Sequence, residues 1–187
     1  YLVVILAGAL LLSLPIATRG GGRTPFIKTL FTTTSATCVT GLVSFDTNIH
    51  WTTFGQIVIL ALIQLGGLGV MTFISLLFRA MGKLSLSNTK LLMADKGENN
   101  RSELKRLFRR ILLGSLLLEG IGAILLSVRF VQDFGWGKGI YYGIFHSVSA
   151  FCNAGFDLMG FREPFSSLTY YQKNPLVCFT FLALIVV

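Results

Sequence analysis

Residues 31–42 read FTTTSATCVTGL, a run of small and hydroxyl-bearing side chains between two long apolar segments. Residues 145–156 read FHSVSAFCNAGF and lie in a matching context in the second half of the chain. An offset of 114 residues, from 31 to 145, aligns the two stretches with these identities: Phe31 with Phe145, Ser35 with Ser149, Ala36 with Ala150, Cys38 with Cys152 and Gly41 with Gly155. The sequence therefore contains an internal repeat.

Composition indicates a membrane environment. Of the 187 residues, 53% are hydrophobic and 13% are charged, and the mean hydropathy is +0.72. Soluble domains are less apolar, so we predict an all-α membrane protein. Residues 54–78 and 111–128 are apolar runs long enough to cross about 30 Å of hydrocarbon. The apolar runs at 2–17 and 176–187 reach the two ends of the sequence, and we expect them to be helices of a longer protein.

Positive charge is concentrated in one connection. Residues 79–110 contain nine of the sixteen Lys and Arg residues, against three acids. Positive residues accumulate on the cytoplasmic side of membrane proteins, so this connection is predicted to be cytoplasmic and the loops at the repeated motifs extracellular. Topology thus accounts for the net charge of +8, and no nucleic-acid partner is predicted. A partner site in the basic connection is the alternative.

Each repeated motif ends a helix that is too short to span the membrane. In the first half, TRGGGRTP at 18–25 breaks the preceding helix, and Thr24 can cap a new helix that runs to about Cys38. About 14 residues at ~1.5 Å rise reach only ~21 Å, so the chain must turn back inside the membrane. In the second half, FGWGKG at 134–139 precedes a short helix that ends at Cys152.

This pattern divides the chain into three parts. Residues 1–78 form a first unit of span, re-entrant pore helix, loop and span. Residues 79–110 form the basic connection, and residues 111–187 form a second unit that is truncated in its last span. The two units are parallel, because the connection separates them by one complete pair of crossings. Parallel units disfavour the commonest form of secondary transporter with broken helices, which is a further alternative.

The loop after each short helix needs a physical reason. Irregular backbone at membrane depth is tolerated where protein buries it or where it lines a watery path. Carbonyl oxygens that face a common axis can replace the hydration shell of a cation, and a helix C-terminus directs the negative end of its dipole to the same place. Gly41 and Gly155 permit the φ > 0 geometry that such a loop requires. We predict an ion path; a re-entrant packing element is the alternative.

Three stretches carry a resemblance to a known family. They are TSATCVTGL at 34–42, HWTTFGQIVILALIQLGGLGVMTF at 50–73 and FGWGKGIYYGIFHSVSAFCNAGFDL at 134–158. Together they resemble the ion-translocating, KtrB-like membrane subunit of bacterial Ktr potassium uptake systems, in the Trk/Ktr/HKT superfamily. The resemblance implies four repeats of span, pore half-helix with filter loop, and span around a central pore. This chain would hold about two of the four.

The resemblance also implies the ion-selective residues. The filter segments would be Val39, Thr40 and Gly41 in the first unit and Asn153, Ala154 and Gly155 in the second. In this family Gly at the first filter position accompanies potassium selectivity and Ser accompanies sodium permeation, so Gly41 indicates potassium uptake. A sodium-translocating relative of the same family is the alternative. No cofactor is implied; K⁺ is the transported ion, and Na⁺ is a candidate coupling or activating ion.

The partners that the resemblance implies follow from the family's organisation. They are the remaining two repeats of the same protein, a second copy in a homodimer, a cytosolic nucleotide-binding regulatory ring (KtrA-like) and the lipid bilayer of the cell membrane. The protein would cross that membrane several times, with its filter loops extracellular.

Three acids are candidates for shaping the electrostatics of the pore. Glu119 lies in an apolar span, where an acid costs about 3 kcal/mol and is a candidate functional residue by default. It could attract cations near the inner mouth or be paired structurally. Asp46 and Asp157 follow the two filter segments and could attract cations to the outer mouth, although loop carboxylates of this kind are usually just solvated.

The remaining polar residues suggest packing rather than chemistry. The pattern favours helix packing for His146 over metal binding and a space-filling role for Cys38 and Cys152. LGGLGVM at 65–71 lacks the strand and Lys of a phosphate loop and is interpreted as helix packing. A membrane-embedded enzyme or redox subunit is the alternative from another class, but it requires a cluster of acid–base or ligand residues where the sequence has single ones. We therefore predict no enzymatic activity.

Overall fold

The structure, a computed structural model, describes residues 1–82, 99–161 and 163–186, without the side chains of 70–82, 99–105 and 107, and it consists of helices joined by loops. Its α-helices are α1 (Leu2–Leu12), α2 (Phe26–Thr37), α3 (Thr47–His50), α4 (Thr53–Gly82), α5 (Asn99–Phe151) and α6 (Pro175–Val186). Two 3₁₀ helices cover Pro15–Ala17 and Ser167–Tyr171. These residues contain no strand beyond an isolated bridge between Thr18 and Trp51, which confirms the all-α prediction.

The apolar helices overlap the predicted apolar runs, although α1 ends at Leu12 and not at residue 17. Over the described ranges, one helical stretch, Phe108–Phe151, is long and apolar enough to cross a membrane by length and composition. Leu2–Leu12, Thr53–Gly69 and Pro175–Val186 are shorter apolar helices. The predicted spans at 54–78 and 111–128 lie within α4 and α5. Within the predicted basic connection, residues 83–98 lie outside the described residues.

Helix α2 buries a face made of small hydroxyl side chains. Thr29, Thr32 and Thr33 are buried, and each hydroxyl donates to a backbone carbonyl three or four residues earlier in the same helix. A buried polar group is tolerated when it is hydrogen-bonded. The short side chains also let α1 and α4 approach α2 closely. This packing explains the composition of residues 31–42.

The start of α2 differs from the sequence prediction. The N-cap is Pro25, which makes no side-chain capping bond, so the prediction that Thr24 caps this helix is wrong. The Thr24 hydroxyl instead lies 2.8 Å from the Thr18 hydroxyl and 2.9 Å from Nε2 of His50. Thr24 is thus used to join the loop before α2 to the end of α3.

Helix α5 is one chain segment with a single break. Gly135 has φ 78° and ψ 171°, a conformation that only Gly adopts readily, and the residues on both sides are helical. The break expected at FGWGKG before the short second-half helix thus lies at Gly135, where one glycine turns the chain between a first arm (99–134) and a second arm (136–151). A Cβ built on Gly139 would lie 2.5 Å from the Cα of Val131. Glycine at this position lets the two arms lie against each other.

Candidate functional site

The C-terminus of α2 is closed by a Schellman cap. Cys38 is the C-cap residue, and Val39 takes the left-handed conformation with φ 57°. The Val39 N–H donates to the carbonyl oxygen of Ala36 at 3.3 Å, and the Thr40 N–H donates to that of Ser35 at 3.0 Å. These two bonds define the cap and fix the direction in which the chain leaves the helix. A left-handed Val is rare and indicates local strain.

The second arm of α5 ends in the same cap. Asn153 has φ 58°, and its N–H donates to the carbonyl oxygen of Ala150 at 2.9 Å. The Ala154 N–H donates to the carbonyl oxygen of Ser149 at 2.7 Å. Each of these residues lies 114 positions after its counterpart at the end of α2. The two stretches that match in sequence therefore also match in hydrogen bonding.

Gly41 and Gly155 bring the two capped ends into backbone contact. Both are left-handed, with φ 74° and φ 71°. A Cβ built on Gly41 would lie 2.9 Å from the carbonyl oxygen of Ala154 and 3.4 Å from the Cα of Gly155. A Cβ built on Gly155 would lie 3.3 Å from the Cα of Gly41. Both the conformation and the close approach therefore require glycine.

Helix α4 lies against both capped ends. A Cβ on Gly66 would collide with the carbonyl oxygen of Thr37, the last residue of α2. A Cβ on Gly67 would come within 2.5 Å of Sγ of Cys152, at the end of the second arm of α5. The prediction that LGGLGVM packs helices is confirmed, and the two neighbouring glycines set the distance between α4 and both ends.

Glu119 is buried beside α4. Only 5% of the residue is exposed, and Nε2 of Gln64 donates to Oε1 at 2.9 Å and to Oε2 at 3.1 Å. The backbone carbonyl oxygen of Glu119 accepts from the hydroxyl of Ser147 at 2.7 Å. Among the described side chains, no Lys or Arg forms an ion pair with this carboxylate. The pairing of Gln64 with Glu119 was not predicted, because nothing in a single sequence shows which spans are neighbours.

Comparison with known proteins identifies the family. Residues 6–187 match the family model TrkH, described as a cation transport protein. The chain belongs to the TrkH family of cation transport proteins. This membership confirms the resemblance drawn from the three sequence stretches and implies a membrane location. The family and the named relatives are transporters, which agrees with the prediction of no enzymatic activity.

Three proteins similar to this TrkH-family chain are named bacterial uptake proteins. It is 43% identical over 188 residues to the potassium/sodium uptake protein NtpJ of Enterococcus hirae, covering 100% of this chain and 40% of that protein. It is 40% identical over 187 residues to the Ktr system potassium uptake protein B of Vibrio alginolyticus, with the same coverage. The protein of that name from Bacillus subtilis is 42% identical over 159 residues, which cover 84% of this chain and 35% of that protein. The chain thus spans about two fifths of these relatives' length.

Asp46, which follows Gly41 in the first half of the TrkH-family chain, contacts the second half. Its Oδ1 accepts from the N–H groups of Asn48 and Ile49 at 2.9 and 3.0 Å, which caps α3. Its Oδ2 accepts from the Phe165 N–H at 2.9 Å. A Cβ on Gly160 would collide with the same carboxylate. The carboxylate that sequence reasoning offered as a cation attractor is therefore committed to three backbone donors.

Asp157 lies in the segment that follows Gly155. It is half-buried, and Oδ1 accepts from the Met159 N–H at 2.9 Å. Burial raises the pKa of the Asp157 carboxyl, the Met159 hydrogen bond opposes this rise, and the negative charge of Asp46 adds to it. The neutral form of Asp157 thus persists to a higher pH than that of an exposed aspartate.

His146 anchors this segment to the second arm of α5. It is 1% exposed; Nδ1 lies 2.7 Å from the carbonyl oxygen of Tyr142, and Nε2 accepts from the Leu158 N–H at 3.2 Å. In the first half, 114 positions earlier, the hydroxyls of Thr32 and Ser44 lie 3.4 Å apart. The predicted packing role of His146 is confirmed. The repeat offset, applied beyond the motif itself, could have found both pairs.

The cysteines have different surroundings. Cys152 is 8% exposed and packs on Gly67, as expected of a space-filling residue. Cys38 is exposed, so the same prediction is wrong for Cys38. Within the part of the chain that the structure describes, no group of three or more His, Cys, Asp or Glu residues could hold a metal ion.

Proposed function

We propose that this chain supplies two of the carbonyl-bearing segments that select ions in a potassium uptake pore. The segments are Val39, Thr40 and Gly41, and Asn153, Ala154 and Gly155. The observation that carries the proposal is the backbone contact between the two left-handed glycines at the ends of identically capped helices. Two helix C-termini directed to one place favour a cation there, and adjacent carbonyls can replace its water.

Potassium is the proposed ion because Gly occupies position 41, and the family resemblance associates Gly at this filter position with potassium selectivity. Two relatives are named as potassium uptake proteins, which supports this choice. The relative from Enterococcus hirae is named a potassium/sodium uptake protein, so sodium transport is the second candidate. Na⁺ as a coupling or activating ion belongs to the same proposal.

The proposed pore contains four units, of which residues 1–78 and 111–187 are two and residues 79–110 are the connection between them. We place the filter loops on the extracellular side of the cell membrane and the basic connection on its cytoplasmic side. The remaining units of the same protein would complete the ring of carbonyls, because a dehydrated cation needs ligands on all sides. A second copy and a cytosolic nucleotide-binding ring complete the proposed assembly.

Replacing Gly41 with Ser tests the proposal in the complete transporter that contains this chain. A side chain at φ 74° is strained by about 1–2 kcal/mol, and its Cβ would press on the carbonyl oxygen of Ala154. We expect the ratio of potassium to sodium uptake to fall several-fold in a host that lacks its own potassium transport. Gly20→Ser is the matched control, since an added Cβ there meets nothing within 4 Å. An unchanged ratio in a normally expressed Gly41→Ser protein would remove Gly41 from the filter.

A further inference from the structure

We infer that the hydrogen-bonded pair of Gln64 and Glu119 positions the two proposed filter segments, residues 39–41 and 153–155, through the helices that carry them. The pair does not act by attracting ions with its charge. The inference rests on the proposed function, because it concerns the geometry of the proposed filter. It assigns Gln64 a role and changes the one expected of Glu119 from sequence. Both are positioning residues: they act through α4 and α5 and not on the ion.

Helix α4 contacts both helix ends that carry the proposed filter segments. Two residues after Gln64, the adjacent glycines Gly66 and Gly67 meet the last residue of α2 and Cys152 at the end of the second arm of α5. Neither contact has room for a methyl group. A small displacement of α4 therefore moves it into, or away from, both helix ends that carry the proposed filter segments.

Three hydrogen bonds at Glu119 then join these helices. Both carboxylate oxygens accept from Nε2 of Gln64, which links α4 to the first arm of α5, and the backbone carbonyl oxygen accepts from the hydroxyl of Ser147 in the second arm. One residue thereby ties α4, the first arm of α5 and the second arm of α5 together at the level of the glycine contacts. In an apolar surrounding such bonds have little competition from water.

The burial of Glu119 favours positioning over ion attraction. A carboxylate that draws cations to a pore mouth needs contact with water, and Glu119 is 5% exposed. Both carboxylate oxygens also accept from the Gln64 amide, so each already has a hydrogen-bond partner. Oε1 of Gln64 is buried without a hydrogen-bond partner among the described atoms, so the amide is oriented by the carboxylate alone.

Substitutions at the pair separate hydrogen bonding from charge. E119Q removes the charge and keeps one amide bond to Gln64, and Q64E/E119Q rebuilds the pair in reverse. E119L and Q64L remove the bond. In the complete transporter we expect E119L and Q64L to lower the ratio of potassium to sodium uptake about tenfold, as for a lost buried hydrogen bond. E119Q and the reversed pair should stay within about twofold of the wild type.

A second readout does not depend on ion selection. Cys152 is 8% exposed beside Gly67, so loosening of α4 should expose its thiol. In a background with Cys38→Ser and Cys178→Ser, maleimide labelling of Cys152, followed by peptide mass spectrometry, should rise in E119L and Q64L and remain low in E119Q. Labelling remains measurable where E119L conducts no ions.

The outcomes distinguish the two proposals. Loss of potassium flux in E119Q at an unchanged ion ratio would show a role for charge and overturn the inference. So would unchanged labelling and ratio in E119L and Q64L. If labelling rises while the ratio stays constant, Gly41→Ser decides which claim fails: a lowered ratio in Gly41→Ser leaves the filter standing and overturns the positioning role. An unchanged ratio there overturns the filter, and with it the inference.

Discussion

Gly41 and Gly155 meet through their backbones, although 114 residues separate them in sequence. A Cβ on either would come within 3.4 Å of the Cα of the other, and both are left-handed. Each follows a helix closed by the same pair of hydrogen bonds. Two copies of one motif thus present equivalent carbonyl-bearing loops side by side. We propose that ions are selected at this contact.

Gly66→Ala should destabilise the protein strongly. The added methyl group would collide with the carbonyl oxygen of Thr37, and backbone atoms on both sides cannot move independently of their helices. Overpacking of this kind typically costs about 1–3 kcal/mol. Gly120→Ala in the first arm of α5 is the matched control: its Cβ meets nothing within 4 Å, and Ala favours a helix by about 1 kcal/mol over Gly. Thermal unfolding in detergent measures both. Equal midpoints for the two variants would contradict the packing account.

Asp46→Ala should lower stability, and Asp46→Asn should lower it less. Alanine removes the cap of α3, worth about 1 kcal/mol, and leaves the Phe165 N–H without its acceptor. Asparagine keeps one side-chain oxygen, which can either cap α3 or accept from the Phe165 N–H. Glu163→Gln, at an exposed carboxylate in the outer loop, controls for charge. If instead Asp46→Asn and Glu163→Gln both reduce uptake at low salt without loss of stability, the carboxylates act by attracting cations.

His50 should make the stability of the outer loops depend on pH. Burial lowers the pKa of His50 from 6.5, and the positive charge of Lys28 lowers it further. The folded state therefore binds the proton less readily than the unfolded state. Stability should be complete above pH 6.5 and should decline as the pH falls through the depressed folded pKa. The difference in unfolding midpoint between wild type and His50→Gln, followed from pH ~8 to ~5, measures this. A difference that does not vary with pH would contradict it.

The basic residues near the start of the first arm provide a test of the proposed cytosolic ring. Arg106, Arg109 and Arg110 are exposed on α5, and Lys105 precedes them in the same helix. Neutralising all four should abolish nucleotide-dependent regulation and leave basal conduction intact, because an acidic partner would lose its complementary charge. Labelling of loops on both membrane sides controls for topology. Regulation that persists with correct insertion would place the ring elsewhere.

The sequence predicted the elements that follow from composition and repetition. Apolar runs identified α4 and the first arm of α5, and the 114-residue offset predicted that the loops after α2 and after the second arm are equivalent. The family resemblance predicted the TrkH membership. The division into units, the filter assignment and the sidedness of the loops stay predictions.

The contacts that were not predicted join segments that are far apart in sequence. Asp46 became a structural link because Phe165 and Gly160 come to it from the other half. Gln64 pairs with Glu119 because α4 lies beside α5 in the fold. No local pattern encodes the contacts of Asp46 and Gln64.

The most direct measurement is the position of a heavy potassium substitute in the complete transporter. Thallium or rubidium, located by anomalous scattering in crystals of the potassium-loaded and exchanged protein, should lie beside the carbonyl oxygens of residues 39–41 and 153–155. The Gly41→Ser protein should show weaker occupancy at that place. An ion bound elsewhere along the conduction path, for instance beside Glu119, with none at the two glycine segments would contradict the account.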